Sequence, residues 1–434
     1  MKVGPAVVQT LSSQAIQSAA SLATGILIAR GLGPVGQGGY AVFVAAIGLG
    51  TVVASFGQYE GNVLTSAGDA NPGRVLLIRA GAHAAAVGLA FLALRPLWAP
   101  LATGLVAEVG AIFPLILALE VAALLLRGVN LGQHHVTAFN VASLLQRVVY
   151  LLTIVAVALL AGLALERVLL CWAVATAVSL AVSAGWAWVR SPAGTDTLVG
   201  IRQGWGASLR RGWRPLATIA LTLVLIRFDV WTLGSRLGAG AVGQVSVASA
   251  LVEWLWYVPT IVGTILFAAV AADRAGRRIE TVAQSARLVV LLVGPASLML
   301  MAVGRVLVPA LYGSAYQEAS AVFVRLVPGA AAVAVHLVID TYFAGRGFPP
   351  VSLLAPAGCL LLKAILNTVL VPRYGIVGAA TATSVVYVVL LTTKLMVLRA
   401  ETGVPAHRFL LVRSADLVAG WTLARGWVSS RLAG

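Results

Sequence analysis

The sequence predicts an all-α polytopic membrane protein with about twelve transmembrane helices in two parallel six-helix lobes around a central cavity. The first observation is composition: 60% of the 434 residues are hydrophobic and 10% are charged, whereas soluble domains carry about 25% charged residues. The second is that the apolar runs are long and do not alternate, which favours spanning helices over a barrel. The third is a glycine-rich turn that occurs twice, about half a chain apart.

A spanning helix needs about 20 mainly apolar residues. The first apolar run contains serines and glutamines, so it lacks the clean apolar core of a signal peptide and is predicted to be a retained helix. The predicted spans are 6–29, 38–58, 75–94, 105–126, 138–160, 167–189, 214–235, 241–270, 286–311, 318–343, 350–372 and 375–398.

The longest polar interval between spans lies at the midpoint of the chain. Residues 190–213 contain glycines and several arginines, and they are predicted to be a cytoplasmic linker between the lobes. The lobes are then residues 1–189 and 214–398. Residues 399–434 form a cytoplasmic tail, in which spaced charges on an apolar segment predict an interfacial amphipathic helix rather than a thirteenth span.

The basic residues define an orientation. With the N-terminus inside, twenty Lys and Arg residues lie at inner ends, inner loops and the tail, and six lie at outer ends and loops. This asymmetry follows the positive-inside rule and predicts cytoplasmic termini. It also accounts for the net charge of +16 without a nucleic acid partner, because the arginines are scattered between apolar spans.

The repeated turn reads ARGLGPVGQGGYAV at 29–42 and SRLGAGAVGQVSVA at 235–248. Aligning Gly36 with Gly243 through the shared Val-Gly-Gln gives an offset of 207 residues. Six spans lie between the copies, so both turns face the same side and the two lobes are parallel repeats. Two lobes around a central space suit an alternating-access transporter.

Several segments together resemble the polysaccharide flippases of the multidrug/oligosaccharidyl-lipid/polysaccharide exporter superfamily. They are LIARGLGPVGQGGYAVFVAAIGLG near the start, RFDVWTLGSRLGAGAVGQVSVASAL, LYGSAYQEA and NTVLVPRYGIVGAATATSV. Their order and spacing cover residues 6–398.

The resemblance implies a membrane transporter, not an enzyme, that flips a polyprenyl-diphosphate-linked oligosaccharide from the inner to the outer leaflet of the cytoplasmic membrane. The lipid-linked oligosaccharide and the bilayer are its expected partners, with a polysaccharide polymerase and glycosyltransferases as further candidates. The family's cavity is lined by spans one, two, seven and eight. Here the polar residues of the first span are only Ser, Gln and Thr. This span therefore departs from the arginine-bearing first helix of lipid II flippases.

Ionisable groups at membrane depth are costly and therefore mark candidate functional sites. Arg227 in span seven offers a guanidinium fork that suits a diphosphate. Asp229 and Glu253 would compensate it when the cavity is empty, and Arg227 and Glu253 lie at similar depths and can pair. The alternative is that these groups form permanent ion pairs that hold helices in register.

Two further sets of residues extend the predicted cavity. Lys363 lies one turn before Asn367 in span eleven and is a candidate second anion site. In the first span Gln14 and Gln17 share a face, which suits either a hydrated wall for sugars or packing against neighbouring helices. Trp254 and Trp256 beside Glu253 suit sugar stacking or, more simply, the core.

Other buried polar groups are interpreted as structural. Glu120 and Arg147 are predicted to pair across spans four and five, and His336 and Asp340 to form a hydrogen-bonded pair one turn apart. A proton relay through His336 and Asp340 is the alternative. The two cysteines lie in apolar runs, so neither a disulfide nor a metal site is expected, and no cofactor is predicted.

Two other functions remain open. A multidrug-type cation antiporter of the same superfamily would use an ion-linked carboxylate cluster, for which Glu120, Asp229 and Glu253 are the candidates. A membrane enzyme acting on lipid-linked sugars would need a paired-acid motif, a nucleophile elbow or a phosphate-binding loop, and the sequence contains none of these motifs.

Overall fold

A computed structural model describes residues 3–59, 62–63, 75–98, 112–133, 135–190, 198–257, 259–260 and 278–413. Within these ranges every regular element is a helix. Eight of the described helices are long and apolar enough to cross a membrane. The prediction of an all-α polytopic membrane protein is therefore confirmed.

Ten long helices carry the fold. The seventh of them is followed directly by a 3-10 turn over Glu253–Trp256. The helices are α1 (Val3–Ala54), α2 (Val75–Ala93), α3 (Ile112–Gly132), α4 (Val136–Leu160), α5 (Leu165–Arg190), α6 (Leu198–Leu237), α7 (Ala239–Val252), α8 (Arg278–Tyr312), α9 (Gln317–Gly345) and α10 (Val351–Thr402).

Two glycines divide the longest helices into two arms each. Gly33 interrupts α1 with φ 65° and ψ 178°, and Gly375 interrupts α10 with φ 55° and ψ −136°. Only glycine adopts these angles without steric cost. When the arms are counted separately, each of the twelve predicted spans has a helix among the described residues.

Residues 1–243 form one compact unit. Its core is a cluster in which the second arm of α1 packs with α2, α3 and α5 around Phe43, Ile116 and Leu117, all of them at most 1% exposed. A second cluster joins the first arm of α1 to α4 and α5 through Ile28 and Ile154. Aromatic rings connect the two clusters, because Trp172 lies against the rings of Tyr40, Phe43 and Tyr150.

Residues 244–434 form the second compact unit. Helix α9 lies at its centre and packs against both α8 and α10. Close approach between α9 and α10 depends on Gly329, whose Cα faces the backbone of Ser384. The two arms of α10 lie side by side, since the Cys359 thiol on the first arm is 3.8 Å from the Val386 carbonyl oxygen on the second.

Large apolar side chains remain exposed along many helices. Leu159 and Leu160 are 80% and 86% exposed, and Leu298 and Leu361 are 71% and 68% exposed. Soluble monomers rarely leave so much apolar surface in water. These side chains suit contact with lipid, as the composition predicts.

The structure corrects the register of the repeated turn. The left-handed glycines that separate the paired helices are Gly33 (φ 65°) and Gly238 (φ 83°), so the two turns correspond at an offset of 205 residues. The Val-Gly-Gln match used for the sequence alignment lies two residues out of this register. Backbone conformation fixes the equivalence, whereas a three-residue match in small residues does not.

The predicted lobe boundaries stay predictions. Residues 198–213, which were assigned to the linker, are helical and continuous with α6. In the tail, His407–Leu410 is a short helix, and the predicted amphipathic segment beyond residue 413 lies outside the described residues. The orientation of the termini also stays a prediction.

Candidate functional site

The predicted anion-binding residues of α6 lie in the C-terminal third of that helix. Asp229 is 6% exposed, and Arg227 is half-buried. Because successive residues of a helix are about 100° apart, these two side chains leave the helix on different sides. Arg227 and Asp229 therefore do not form one charged face, although they are close in sequence.

Glu253 begins the 3-10 turn that ends α7, and its side chain is half-buried. The neighbouring Trp256 packs within the second unit. Its indole Nε1 donates to the Ala330 carbonyl at 3.0 Å, and its ring centroid lies 6.2 Å from that of Tyr387. This agrees with the core interpretation of Trp256. The predicted pairing of Glu253 with Arg227 stays a prediction.

The second candidate anion site is the most deeply buried of the predicted groups. Lys363 is 0% exposed and Asn367 is 1% exposed, and they lie one turn apart on the first arm of α10. The Lys363 ammonium lies 5.8 Å from the centroid of the Tyr387 ring on the second arm. Both predicted residues therefore face the packed interior of the second unit.

The polar face of the first arm of α1 is partly used for packing. Gln17 donates to the Ser13 hydroxyl at 2.9 Å, and Ser13 is in turn 3.4 Å from the Asn140 carbonyl of α4. Gln14 and Gln17 are both half-buried. The structure thus supports helix packing for the Ser13 side of this face.

The predicted Glu120–Arg147 pair is wrong. The Glu120 carboxylate oxygen accepts hydrogen bonds from Gln146 Nε2 at 2.8 Å, Trp172 Nε1 at 2.7 Å and the Thr176 hydroxyl at 2.7 Å. Arg147 is exposed, and it makes no ion pair with Glu120 among the described residues. The helical rotation of α4 turns Gln146, rather than its neighbour, toward α3.

A half-buried arginine is linked to this carboxylate through an amide. Arg127 lies two turns after Glu120 on α3 and donates to Gln146 Oε1 at 2.6 Å. Gln146 thus contacts Glu120 through its nitrogen and Arg127 through its oxygen. Gln146, Trp172 and Thr176 are not conspicuous in the sequence, since neutral polar residues in spans carry no charge signal.

The predicted His336–Asp340 pair is also wrong. Asp340 Oδ1 instead accepts from Lys394 Nζ at 2.6 Å, and the ammonium lies 4.9 Å from the centroid of the Phe343 ring. The Lys394 side chain is 1% exposed, although its position near the end of span twelve suggested an inner-surface charge. Lys394 lies five residues before Arg399, which is the true surface charge at this end of the helix. That spacing is the feature of the sequence that could have indicated a buried position for Lys394.

Comparison with solved structures shows a shared fold. No family profile and no curated protein matches the chain. The lipid II flippase MurJ in an inward closed conformation superposes with a TM-score of 0.75 at 13% identity, covering 96% of this chain and 93% of MurJ. An inward-facing MATE family transporter of the MOP superfamily gives 0.68 at 15% identity, covering 91% and 98%. A MOP superfamily transporter from Pyrococcus furiosus gives 0.62 at 15% identity, covering 91% and 94%.

The chain thus has the fold of MOP-superfamily transporters, which the sequence resemblance predicted. Of the three structures, the lipid II flippase MurJ superposes with the highest TM-score. At 13–15% identity the likeness defines the fold, and the transported substrate has to be argued from the residues.

Proposed function

We propose that this chain flips a polyprenyl-diphosphate-linked oligosaccharide across the cytoplasmic membrane by alternating access. The observation that carries the proposal is the retention of cationic and hydrogen-bonding groups inside apolar spans of a transporter fold. Lys363 and Asn367 are at most 1% exposed and Asp229 is 6% exposed. Burial of such groups in a membrane is expensive, so a functional reason for them is expected.

The diphosphate is the part of this substrate that the charged residues suit. A guanidinium presents parallel N–H donors to two phosphate oxygens, which gives Arg227 the role of the primary anion site. Asp229 and Glu253 limit the cost of that cation when no substrate is bound. The ammonium of Lys363 and the amide of Asn367 are proposed as a second site of contact for the anionic diphosphate.

The sugar moiety calls for hydroxyl-binding groups rather than charge. Gln14 and Gln17 are proposed to serve this role, because a side-chain amide both donates and accepts hydrogen bonds. The half-burial of both residues leaves part of each side chain open to a ligand. The lipid tail stays in the bilayer while the headgroup crosses.

In the proposed cycle the protein admits the headgroup from the inner leaflet and releases it at the outer leaflet. Both termini remain in the cytoplasm, as the distribution of basic residues favours. A polysaccharide polymerase and the glycosyltransferases that build the headgroup are the proposed protein partners, because they produce or consume the same lipid-linked sugar.

The test is flipping of a lipid-diphosphate oligosaccharide in proteoliposomes by wild-type protein, by Arg227→Ala and by Arg236→Ala. Arg236 lies at the exposed end of the same helix and is the matched control. Loss of one charge-assisted contact of about 1.5–3 kcal/mol predicts a fall of roughly 10- to 100-fold for Arg227→Ala alone. Equal rates for all three proteins would assign Arg227 a structural role.

The alternative is a multidrug-type cation antiporter, which the MATE neighbours favour. Glu120 is its strongest residue, since a carboxylate with three neutral donors is poised to hold charge inside the first unit. The same proteoliposomes loaded with a lipophilic cation decide between the two. Cation efflux driven by a proton or sodium gradient, with no flipping of any lipid-diphosphate sugar, would replace the proposed function by this one. An enzyme acting on lipid-linked sugars is a third and weaker alternative, which turnover of that lipid in the same assay would reveal.

A further inference from the structure

The second arm of α1 runs antiparallel to α6 and touches residues 212–243 at both ends. Gly38 lies against Ala239 at one end, and Gly57 lies against Gly212 at the other. Between them Gly48 makes only an ordinary contact, in which a Cβ would lie 3.8 Å from Leu223 Cδ2. Among the glycines of this arm that face α6, the close approaches are those at its two ends.

The first close approach is a reciprocal contact of the two repeated turns. A Cβ at Gly38 would overlap the Ala239 carbonyl oxygen and lie 2.7 Å from its carbon. A Cβ at Gly243 would overlap the Pro34 carbonyl oxygen and lie 2.8 Å from its carbon. We call these four residues the double-turn contact.

The double-turn contact obeys the symmetry of the repeat. At the offset of 205 residues Pro34 corresponds to Ala239 and Gly38 corresponds to Gly243. Gly38 touches Ala239, and their counterparts Gly243 and Pro34 touch each other in the same way. This exchange of equivalent residues is the arrangement of a two-fold interface. The five-residue spacing from Gly33 to Gly38, and from Gly238 to Gly243, places both contact glycines in the first turn of their helices.

The second close approach, the Gly57 contact, is also backbone against backbone. A Cβ at Gly57 would lie 2.8 Å from the Gly212 carbonyl carbon, and a Cβ at Gly212 would lie 2.9 Å from the Gly57 carbonyl carbon. The chain is strained at Phe56, which has φ 48°, whereas Gly57 adopts φ 69° without steric cost. His83 holds the preceding turn through a 2.7 Å hydrogen bond to the Ala54 carbonyl.

The distance between the two contacts matches a membrane. At 1.5 Å per residue the helical rise is about 24 Å from Gly38 to Ala54 on α1 and about 38 Å from Gly212 to Leu237 on α6, and the two values bracket the thickness of a membrane. The hydrocarbon core of a bilayer is about 30 Å thick. The double-turn contact and the Gly57 contact therefore lie at opposite faces.

We infer that these two glycine contacts are the seals that open in turn during transport, the double-turn contact at the predicted outer face and the Gly57 contact at the inner face. The inference rests on the proposed alternating-access cycle. At both contacts the atoms nearest to the glycine are backbone atoms, so the glycine can part from them without a change of side-chain rotamer. In this structure both contacts are made.

A neighbouring residue anchors one side of the double-turn contact. Gln244 directly follows Gly243, and its Nε2 donates to the Ala315 carbonyl at 2.7 Å while its Oε1 accepts from the Ala319 amide at 3.0 Å. The first turn of α7 is thus fastened to the segment before α9.

The state of the double-turn contact can be read by a disulfide. A Cβ at Gly240 would lie 3.8 Å from Val35 Cγ2, and a cysteine sulfur occupies a γ position, so Val35→Cys with Gly240→Cys brings two thiols within bonding range. The cysteine pair is introduced into a parent protein that already carries Cys171→Ser and Cys359→Ser. The native thiols of these two residues have no role in the proposed transport. The rate of oxidative cross-linking is then measured in lipid nanodiscs, without any substrate.

Three further variants test the seal. Gly38→Ala and Gly243→Ala are expected to slow the cross-link at least fivefold, and Gly25→Ala, which has no atom within 4 Å of its added Cβ, leaves it unchanged. Gly212→Ala, at the other face, is expected to speed it at least twofold, because a Gly57 contact that cannot close leaves the double-turn contact closed for longer. A merely structural contact gives no acceleration. An unchanged or slower cross-link in Gly212→Ala overturns the inference.

A transport arm separates this inference from the proposed function. The oxidised 35–240 disulfide is expected to abolish flipping, and reductant is expected to restore it. Full transport with the disulfide formed overturns the inference while it supports the function. If the reduced parent flips no lipid-linked sugar, the proposed function fails, and the cross-linking rates still decide whether the two contacts open in turn.

Discussion

The Lys394–Asp340 ion pair makes an asymmetric prediction about stability. The Lys394 side chain is 1% exposed and that of Asp340 is 28% exposed. Asp340→Asn leaves a buried ammonium with the ring of Phe343 as its remaining described contact, and loss of one partner of a buried pair costs about 3–5 kcal/mol. Lys394→Met leaves a carboxylate that keeps part of its hydration, so the expected cost is about 1–2 kcal/mol.

The double variant sharpens this prediction. When both charges are replaced by neutral groups of similar size, no uncompensated charge remains, and the double variant is expected within about 1 kcal/mol of wild type. The coupling between the two positions is then about 4–7 kcal/mol, which is the sum of the two single-variant costs. Unfolding in mixed micelles, followed by the fluorescence of the 11 tryptophans, measures all three free energies.

The matched control lies on the same helices. Arg346 follows α9 and pairs with Glu401 of α10, and their side chains are 45% and 30% exposed. Arg346→Gln is expected to cost less than about 1 kcal/mol, as for other surface pairs. Equal costs for Asp340→Asn and Lys394→Met, or additive costs in the double variant, would refute the reasoning from burial.

Two further predictions use the same unfolding assay. Glu120→Gln is expected to lower the free energy of unfolding by about 1–2 kcal/mol, because three hydrogen bonds lose their charge assistance, while Arg147→Gln has little effect. A larger loss for Arg147→Gln would restore the pair inferred from sequence. Gly329→Ala is expected to cost about 1–3 kcal/mol, since its Cβ would lie 2.8 Å from Ser384 Oγ, whereas Gly358→Ala meets no atom within 4 Å. Equal stability of the two alanine variants would show that α9 and α10 have room to separate.

The candidate site shows which predictions a sequence supports. Charged residues inside apolar spans are conspicuous, so Arg227, Asp229 and Lys363 could be singled out from their positions alone. Their partners could not, because a partner depends on how each helix is rotated about its axis. Gln146 and Thr176 look ordinary in the sequence and become visible only when the three helices around Glu120 are placed.

The sequence by itself determined that lipid surrounds this protein, how many spans it has and where its turns lie. A chain with 60% hydrophobic and 10% charged residues has to satisfy its backbone within lipid, and helices of about 20 residues are the economical way to do so. Glycines with positive φ then mark where the chain reverses, and these residues are visible in the sequence.

Only the tertiary structure decided the register of the repeat and the choice of polar partners. In lipid nearly every face of a helix is apolar, so no hydrophobic stripe tells which face packs and which faces the bilayer. Rotation and register are set instead by close packing at small residues, such as Gly38 against Ala239. The contacts of Gln146 with Glu120 and of buried Lys394 with Asp340 become visible only once the helices are placed.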